Sequence, residues 1–310
     1  MKYFQVSQIY TGIEILTEKI ILAQITRKGK SSSIQKLSQS KVAPNILKPL
    51  FKKENILDEK AFVHCMRKSL KKMKIKSLGV SLPDACFKVF IKKFRELPAK
   101  EHEIKDMVVW SIADSLSIPV DELRISWENL GKNSENYYVF LIVIGMNNVL
   151  EQYERLIKKS ASSSVLLAPV GLNRFNFYAE KIPAIGNNFY LSLFDDSLTA
   201  FAFLNGIPIF YKVIKKGLIS GKGASAVEDM DMLLQYFFTK YPDFDIDKFF
   251  IASHIKSDLQ IEQLLEDINP VEFVIIDENE LAHFDQTFKA KSRGDSLSFY
   301  SSALGTAQSI

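Results

Sequence analysis

A chain of 310 residues, 47% hydrophobic and 25% charged, has room for two domains with cores of their own and lacks the composition of a disordered protein. Its two cysteines, Cys65 and Cys86, cannot form a disulfide framework and point to a reducing compartment. The net charge of +4 hides an asymmetry, since residues 1–100 carry 22 Lys+Arg against 7 Asp+Glu while the rest carry 18 against 29.

The first elements alternate apolar and polar side chains. Residues 9–15, 19–27 and 33–42 read as a meander of strands, the first two joined by the short turn Leu16-Thr17-Glu18. The basic excess concentrates in 48–76, where Asp58 caps a helix running to about Lys72. Phe62, Cys65, Met66, Leu70 and Met73 recur on one face of it with lysines opposite. Such a face suits anionic headgroups or an acidic partner, although lysines also simply solvate an outer helix face. No finger, helix-turn-helix or RNP-like motif accompanies the charge, so nucleic acid is not expected.

Residues 77–82 (SLGVSL) read as a short buried strand that stops at Pro83. The block 83–162 reads as an inserted β-α-β-β-α unit: strand 86–94, helix 101–116, hairpin strands 122–130 and 137–145, and helix 147–159. Its run Tyr137 to Met146 is the longest strongly apolar stretch in the chain and far too short to cross a bilayer. No basic-then-apolar leader opens the sequence, so a cytoplasmic location is expected. The serines of 160–164 close the unit, and 165–170 (VLLAPV) return to a buried strand.

A second set of strands follows. Residues 188–214 read as strand, turn, strand, Asn-Gly turn, strand. A Gly/Ser-rich loop at 217–225 precedes a helix at 226–240, then come a strand at 248–253, a helix from Ser257 to about Leu265 and a strand at 271–276. The chain closes with a helix rich in small residues, LSFYSSALGTAQSI.

Candidate chemistry is sparse. GLISGKGAS (217–225) has three residues between Gly217 and Gly221 and a glycine after Lys222, so it misses the spacing and the hydroxyl of a P-loop. His64, His102, His254 and His283 are scattered, and adjacent His64 and Cys65 point about 100° apart on a helix. Asp195/Asp196 and Asp229/Asp231 fit acidic turns and a helix start better than acid–base pairs. Trp110 and Trp127 fall in the inserted unit with Phe87 and Phe90. Clustered aromatics are usually core, but beside an open sheet edge they would floor a peptide groove.

Paired hairpins near the start and the middle of the chain, with SLPD (81–84) leading into a strand and then ELPAKEHEIKDMVVWSIADSLSIPVDELRISWENLG, resemble the PilM family of type IV pilus inner-membrane platform proteins. Leu97, Pro98, Ile104, Trp110, Pro119 and Gly131 fall in the roles of that family's arrangement, and ALGTA (303–307) is similar to its closing helix. The cytoplasmic part of GspL and the division protein FtsA are more distantly similar. The resemblance implies a two-lobed actin-like α/β fold of the sugar kinase, Hsp70 and actin type. Lobe 1 would comprise residues 1–82 and 163–183, the inserted subdomain 83–162, and lobe 2 residues 184–310 with an abbreviated helical subdomain. It also implies a peripheral protein on the cytoplasmic side of the inner membrane that grips the cytoplasmic peptide of a PilN-like single-pass protein and communicates with a motor ATPase. The basic N-terminal third would contact the membrane.

Relatives with this fold hold nucleotide phosphates against an acid and a glycine at each hairpin turn. Here the first Asp-Ile-Gly becomes Glu14-Ile15-Leu16, followed by Thr17, and the second becomes Ser192-Leu193-Phe194, followed by Asp195-Asp196. A leucine side chain where glycine is needed keeps backbone from phosphate, and added carboxylates repel it. The adenine-side Gly-Gly is replaced by Ala252-Ser253-His254. The expectation is therefore a non-catalytic scaffold without ATP or Mg²⁺. The alternative is an ATP-binding member with a rearranged pocket, in which Thr17, Lys19, Ser192 or Asp196 would meet Mg²⁺ and phosphate. A sugar- or acetate-kinase-like enzyme fits the missing acids and glycines poorly.

Overall fold

The structure, a computed structural model, describes residues 8–28, 31–71, 73, 75, 77–116, 118–161, 165–194, 197–215, 226–253, 272–278, 281 and 297–310. The first meander is β1 (Gln8–Ile15), β2 (Lys19–Lys28) and β3 (Ser31–Lys41), followed by helix α1 (Glu59–Leu70) and β4 (Ser77–Leu82). Asp58 accepts a hydrogen bond from the Ala61 amide at 2.9 Å and starts α1 where the sequence places it. The inserted unit is β5 (Phe87–Phe94), α2 (Glu101–Leu116), β6 (Leu123–Lys132), β7 (Tyr138–Met146) and α3 (Asn147–Lys158). Next come β8 (Val165–Pro169) and α4 (Val170–Tyr178). The second meander is β9 (Asn187–Leu193), β10 (Ser197–Leu204) and β11 (Ile207–Lys215). The described part ends with α5 (Ala226–Lys240), β12 (Lys248–Ser253), β13 (Glu272–Ile275) and α6 (Ser301–Gln308). The 217–225 loop, the helix expected from Ser257, His254 and His283 lie outside the described residues.

Two sheets are built to one plan. The first has order β3-β2-β1-β4-β8 and the second β11-β10-β9-β12-β13. In each, three antiparallel strands are followed by two parallel ones, with β1 and β9 in the middle. The expected Asn-Gly turn joins β10 to β11, Asn205 and Gly206 both taking left-handed backbone at φ 51° and 76°. A third sheet, β5-β7-β6, belongs to the inserted unit. This repeated order is that of the actin-like fold.

Each strand of the central pair turns alternate residues to opposite sides. Ile13 and Ile15 of β1 enter a core shared with α1, α3 and the inserted unit, while Phe189, Leu191 and Leu193 of β9 enter a second core with α5. The intervening residues face a third core between the two sheets, filled by α4 and α6. Helix α4 was not expected from the sequence, which gave that stretch only a strand through residue 170. The assignment of all of 184–310 to lobe 2 also fails for its last element. α6 lies against β1, β2 and β4 of the first sheet and against α4. Glycines on both sides of the contact permit this, since a Cβ on Gly12 of β1 would sit 1.8 Å from the Ala303 carbonyl oxygen and one on Gly305 of α6 1.9 Å from that of Asn173.

Candidate functional site

The two hairpin turns face each other between the sheets, as the paired pattern in the sequence requires. Glu14 and Ser192 hold matching places, Glu14 opposite Ser81 of β4 and Ser192 opposite Ala252 of β12. Both side chains are buried, and a third element joins the two turns. Arg174 of α4 donates from Nη2 to Glu14 Oε1 at 2.9 Å and from Nη1 to Ser197 Oγ at 3.4 Å. Its guanidinium lies 3.8 Å from the centre of the Phe194 ring. Arg174 is 3% exposed and Glu14 1%, so each charge depends on the other.

Leu16 and Phe194 stand at the two turns where the resemblance leads one to expect glycine. Both are packed into the core between the sheets. The residues present therefore do not fit a triphosphate at these turns. The backbone is covered by side chains, and the carboxylate of Glu14 is committed to a guanidinium. Thr17 is exposed on the β1–β2 turn and Ser253 is half-buried at the end of β12. Asp195 and Asp196 lie outside the described residues. Asp229 is buried and Asp231 exposed on α5, so they share no site. Among the described residues no group of three or more His, Cys, Asp or Glu could hold a metal ion. Burial pushes the Cys86 thiol up to about 12, which makes it inert as a nucleophile.

A second link crosses between lobes one step away. Asp84, the acid of SLPD, accepts from the Gly171 amide at 3.0 Å in the first turn of α4 and from the Tyr211 hydroxyl at 3.4 Å. Removal from water and the facing carboxylate both raise the Tyr211 pKa, so the phenol stays protonated and donates.

Beside these links opens a cleft of about 1330 Å³. Leu16, Thr17, Lys19 and Ser197 line one end, and β3, β5 and β11 border the remainder. Of the four aromatics proposed for partner binding, Phe87 and Phe90 of β5 line this cleft. Trp110 does not: it is 78% exposed on the outer face of α2. Trp127 on β6 packs against the core of the inserted unit. Sequence reading missed Arg174, Tyr211 and the role of Asp84. Arg174 left one signal, a lone charge within the otherwise uncharged stretch VGLNRFNFY.

No protein-family model matches the chain, and no curated protein matches it in sequence. Among solved structures, the chain is similar to a PilM-PilN type IV pilus biogenesis complex, with 12% identity, a TM-score of 0.75, and 97% of this chain covered against 98% of that one. A Bacteroides thetaiotaomicron protein with an actin-like ATPase fold and unknown function is 11% identical, with a TM-score of 0.50 over 89% of this chain and 93% of that one. The cytoplasmic domain of EpsL, an inner membrane component of the type II secretion system of Vibrio cholerae, overlaps with a TM-score of 0.47 at 10% identity, covering 94% and 98%.

Proposed function

We propose that this protein is a non-catalytic cytoplasmic scaffold, a pseudo-ATPase, of a type IV pilus or type II secretion-like inner-membrane assembly platform. In this reading it binds the cytoplasmic peptide of a PilN-like membrane protein, sits peripherally on the inner membrane and communicates with a motor ATPase. Full-length overlap with the pilus biogenesis complex supports the platform role. Among the described residues no helix is long and apolar enough to cross a membrane, which is compatible with a peripheral position.

The observation that carries the non-catalytic part is the Glu14–Arg174–Phe194 arrangement. A protein guanidinium joins the two turns that a nucleotide joins elsewhere in this fold, and side chains cover the backbone that would meet phosphate. The second reading is a nucleotide held without these turns, drawing on Thr17 and Lys19, which line the cleft. Thermal denaturation with Mg-ATP separates the two, because a ligand at a hundredfold its Kd stabilises the native state by about 2.7 kcal/mol. The expected result is no change in melting temperature at millimolar Mg-ATP. A saturable rise would establish the second reading and remove the first.

A further inference from the structure

Helix α1 has two opposed faces. Phe62, Met66 and Leu70 are buried on one of them. Lys60, Arg67, Lys68 and the capping Lys71 fall within about 100° of one another on the other, and all four are exposed. A hydrogen bond carries this stripe onto a second helix. Arg67 donates from Nη2 to the Lys159 carbonyl oxygen at 3.0 Å, which sets exposed Lys158 and Lys159 at the end of α3 beside it. None of these cations lines the cleft, and among the described residues none forms an ion pair.

The acids of these helices are engaged or set back. Asp58 caps α1, Arg155 holds Glu59 with hydrogen bonds of 2.9 and 2.5 Å, and Arg124 holds Glu154. Lys159 reaches the Glu59 carboxylate only through space. Glu151 is exposed about 10 Å before Lys158 along α3. A face that only solvates a helix mixes acids with bases at spacings of three and four. This one sets Arg67 and Lys68 against Lys71, so it repels itself until an anionic surface meets it. The dipole of α1 favours cations in its last turn but disfavours Lys60 in its first.

An apolar side chain stands at the start of the same helix. The residue before a capping Asp often packs back on the fourth helical residue, here Phe62. Leu57 is instead 60% exposed, although its amide is fixed to the Ile46 carbonyl oxygen at 2.8 Å.

We infer that α1 and the end of α3 form a docking surface for an anionic lipid bilayer, with the cations on headgroup phosphates and Leu57 in the headgroup layer. A flat array of phosphates suits cations spread along an outer helix face about 18 Å long. Leu57 gains from a bilayer what an acidic protein chain or a nucleic-acid backbone does not offer it. This rests on the peripheral position in the reading above and adds a lipid contact that needs no partner protein.

Vesicle co-sedimentation of the full chain tests it, comparing phosphatidylcholine vesicles that contain about 30% phosphatidylglycerol with phosphatidylcholine alone. Retention on the anionic vesicles only, lost between about 50 and 500 mM salt, is expected. A lysine near an anionic surface is worth about fivefold in partitioning, so Lys60→Gln, Lys68→Gln and Lys71→Gln together should lower it by about tenfold or more. The same substitution at exposed Lys105, Lys132 and Lys240 should change it by less than about twofold. Leu57→Ser should lower it by about threefold. Salt dependence is read on the unmodified chain, so it does not rely on a variant folding.

Equal losses from the two triple variants would mean that net charge rather than this surface binds lipid, and would overturn the inference. So would release by inorganic phosphate at matched ionic strength, which would mark a discrete phosphate site, or retention on polyglutamate with none on vesicles, which would mark a site for acidic protein. If anionic vesicles do not retain the chain but the cytoplasmic peptide of the PilN-like protein binds it, this inference fails and the scaffold reading stands. If vesicles retain it through this surface and the peptide does not bind, the lipid contact stands and the scaffold reading fails.

Discussion

The two five-stranded sheets share one order and face each other with opposite surfaces. At the middle of β1, Gly12 lies opposite Gly79 of β4, and α6 rests on this bare backbone. At the matching place in the second sheet, Tyr190 of β9 lies opposite Phe250 of β12. There Phe175 of α4 packs 5.2 Å from the Tyr190 ring centre and 4.4 Å from that of Phe201. Two residues further along each strand the first sheet carries a charge, Glu14, and the second a small hydroxyl, Ser192. Divergence is tolerated because the space between the sheets is still filled, by helix backbone on one side and by rings on the other. The first sheet has thereby become the intolerant one. It holds the closest backbone approach and the acid whose partner comes from α4.

The hardest way to break this comparison is to remove that partner. Arg174→Ala strands a buried carboxylate and is expected to destabilise the protein by about 3–5 kcal/mol in denaturant titration. Arg174→Met combined with Glu14→Leu removes the desolvation of both charges together and is expected to recover most of that loss. A double variant as unstable as the single one would show that Phe194 and Ser197, not Glu14, are what Arg174 serves. Next in size is Gly12→Ala. Its new Cβ would lie 1.8 Å from the Ala303 carbonyl oxygen and 2.8 Å from the Ala307 nitrogen, so α6 must move. A loss of about 3 kcal/mol is expected, at the upper end of ordinary overpacking. A loss below about 0.5 kcal/mol, the size of a neutral surface change, would mean that α6 is not seated on β1.

The strands were legible because period-two alternation and the Asn205-Gly206 turn are local signals. Helix α1 was legible because Asp58 and a one-sided apolar stripe mark it. Helix α4 was not. Val170, Gly171, Asn173, Arg174, Phe177 and Tyr178 are all buried, so packing on several sides leaves no stripe to read. The closing helix was legible as an element but not in its address, because small residues announce close approach without naming the partner. At the site, the bulky residues at the two turns, Leu16 and Phe194, could be read residue by residue. That Arg174 joins the two turns could not, because Glu14 and Arg174 are 160 residues apart in sequence and meet only through the fold. Trp110 shows the converse. Aromatic clustering in sequence placed it with Phe87 and Phe90, whereas the helix leaves it largely exposed and outside the cleft that those two line.

The smallest expected effect sharpens the comparison from the ring side, with Tyr190→Phe as the counterpart of Gly12→Ala. The substitution keeps the ring and removes one hydroxyl, so near neutral pH a change under about 1 kcal/mol is expected. Burial raises the Tyr190 pKa above its ordinary value, so the folded protein keeps a proton that the unfolded chain releases near pH 10. The unfolded state then binds fewer protons, and stability falls as pH rises. The contribution is complete below about pH 10 and is lost above it. Tyr190→Phe should therefore flatten the decline in urea midpoint between about pH 10 and 11 relative to the unmodified chain. Gly12→Ala should lower the midpoint by the same amount at every pH. Buried Cys86, raised to about 12, contributes its own alkaline loss equally to all three proteins and cancels, whereas Tyr178, raised by burial and then by Tyr190 beside it, loses part of its own shift in Tyr190→Phe and adds to the flattening. Parallel curves for Tyr190→Phe and the unmodified chain would mean that the phenol ionises in the folded protein, and that water reaches the ring-lined side of the space between the lobes.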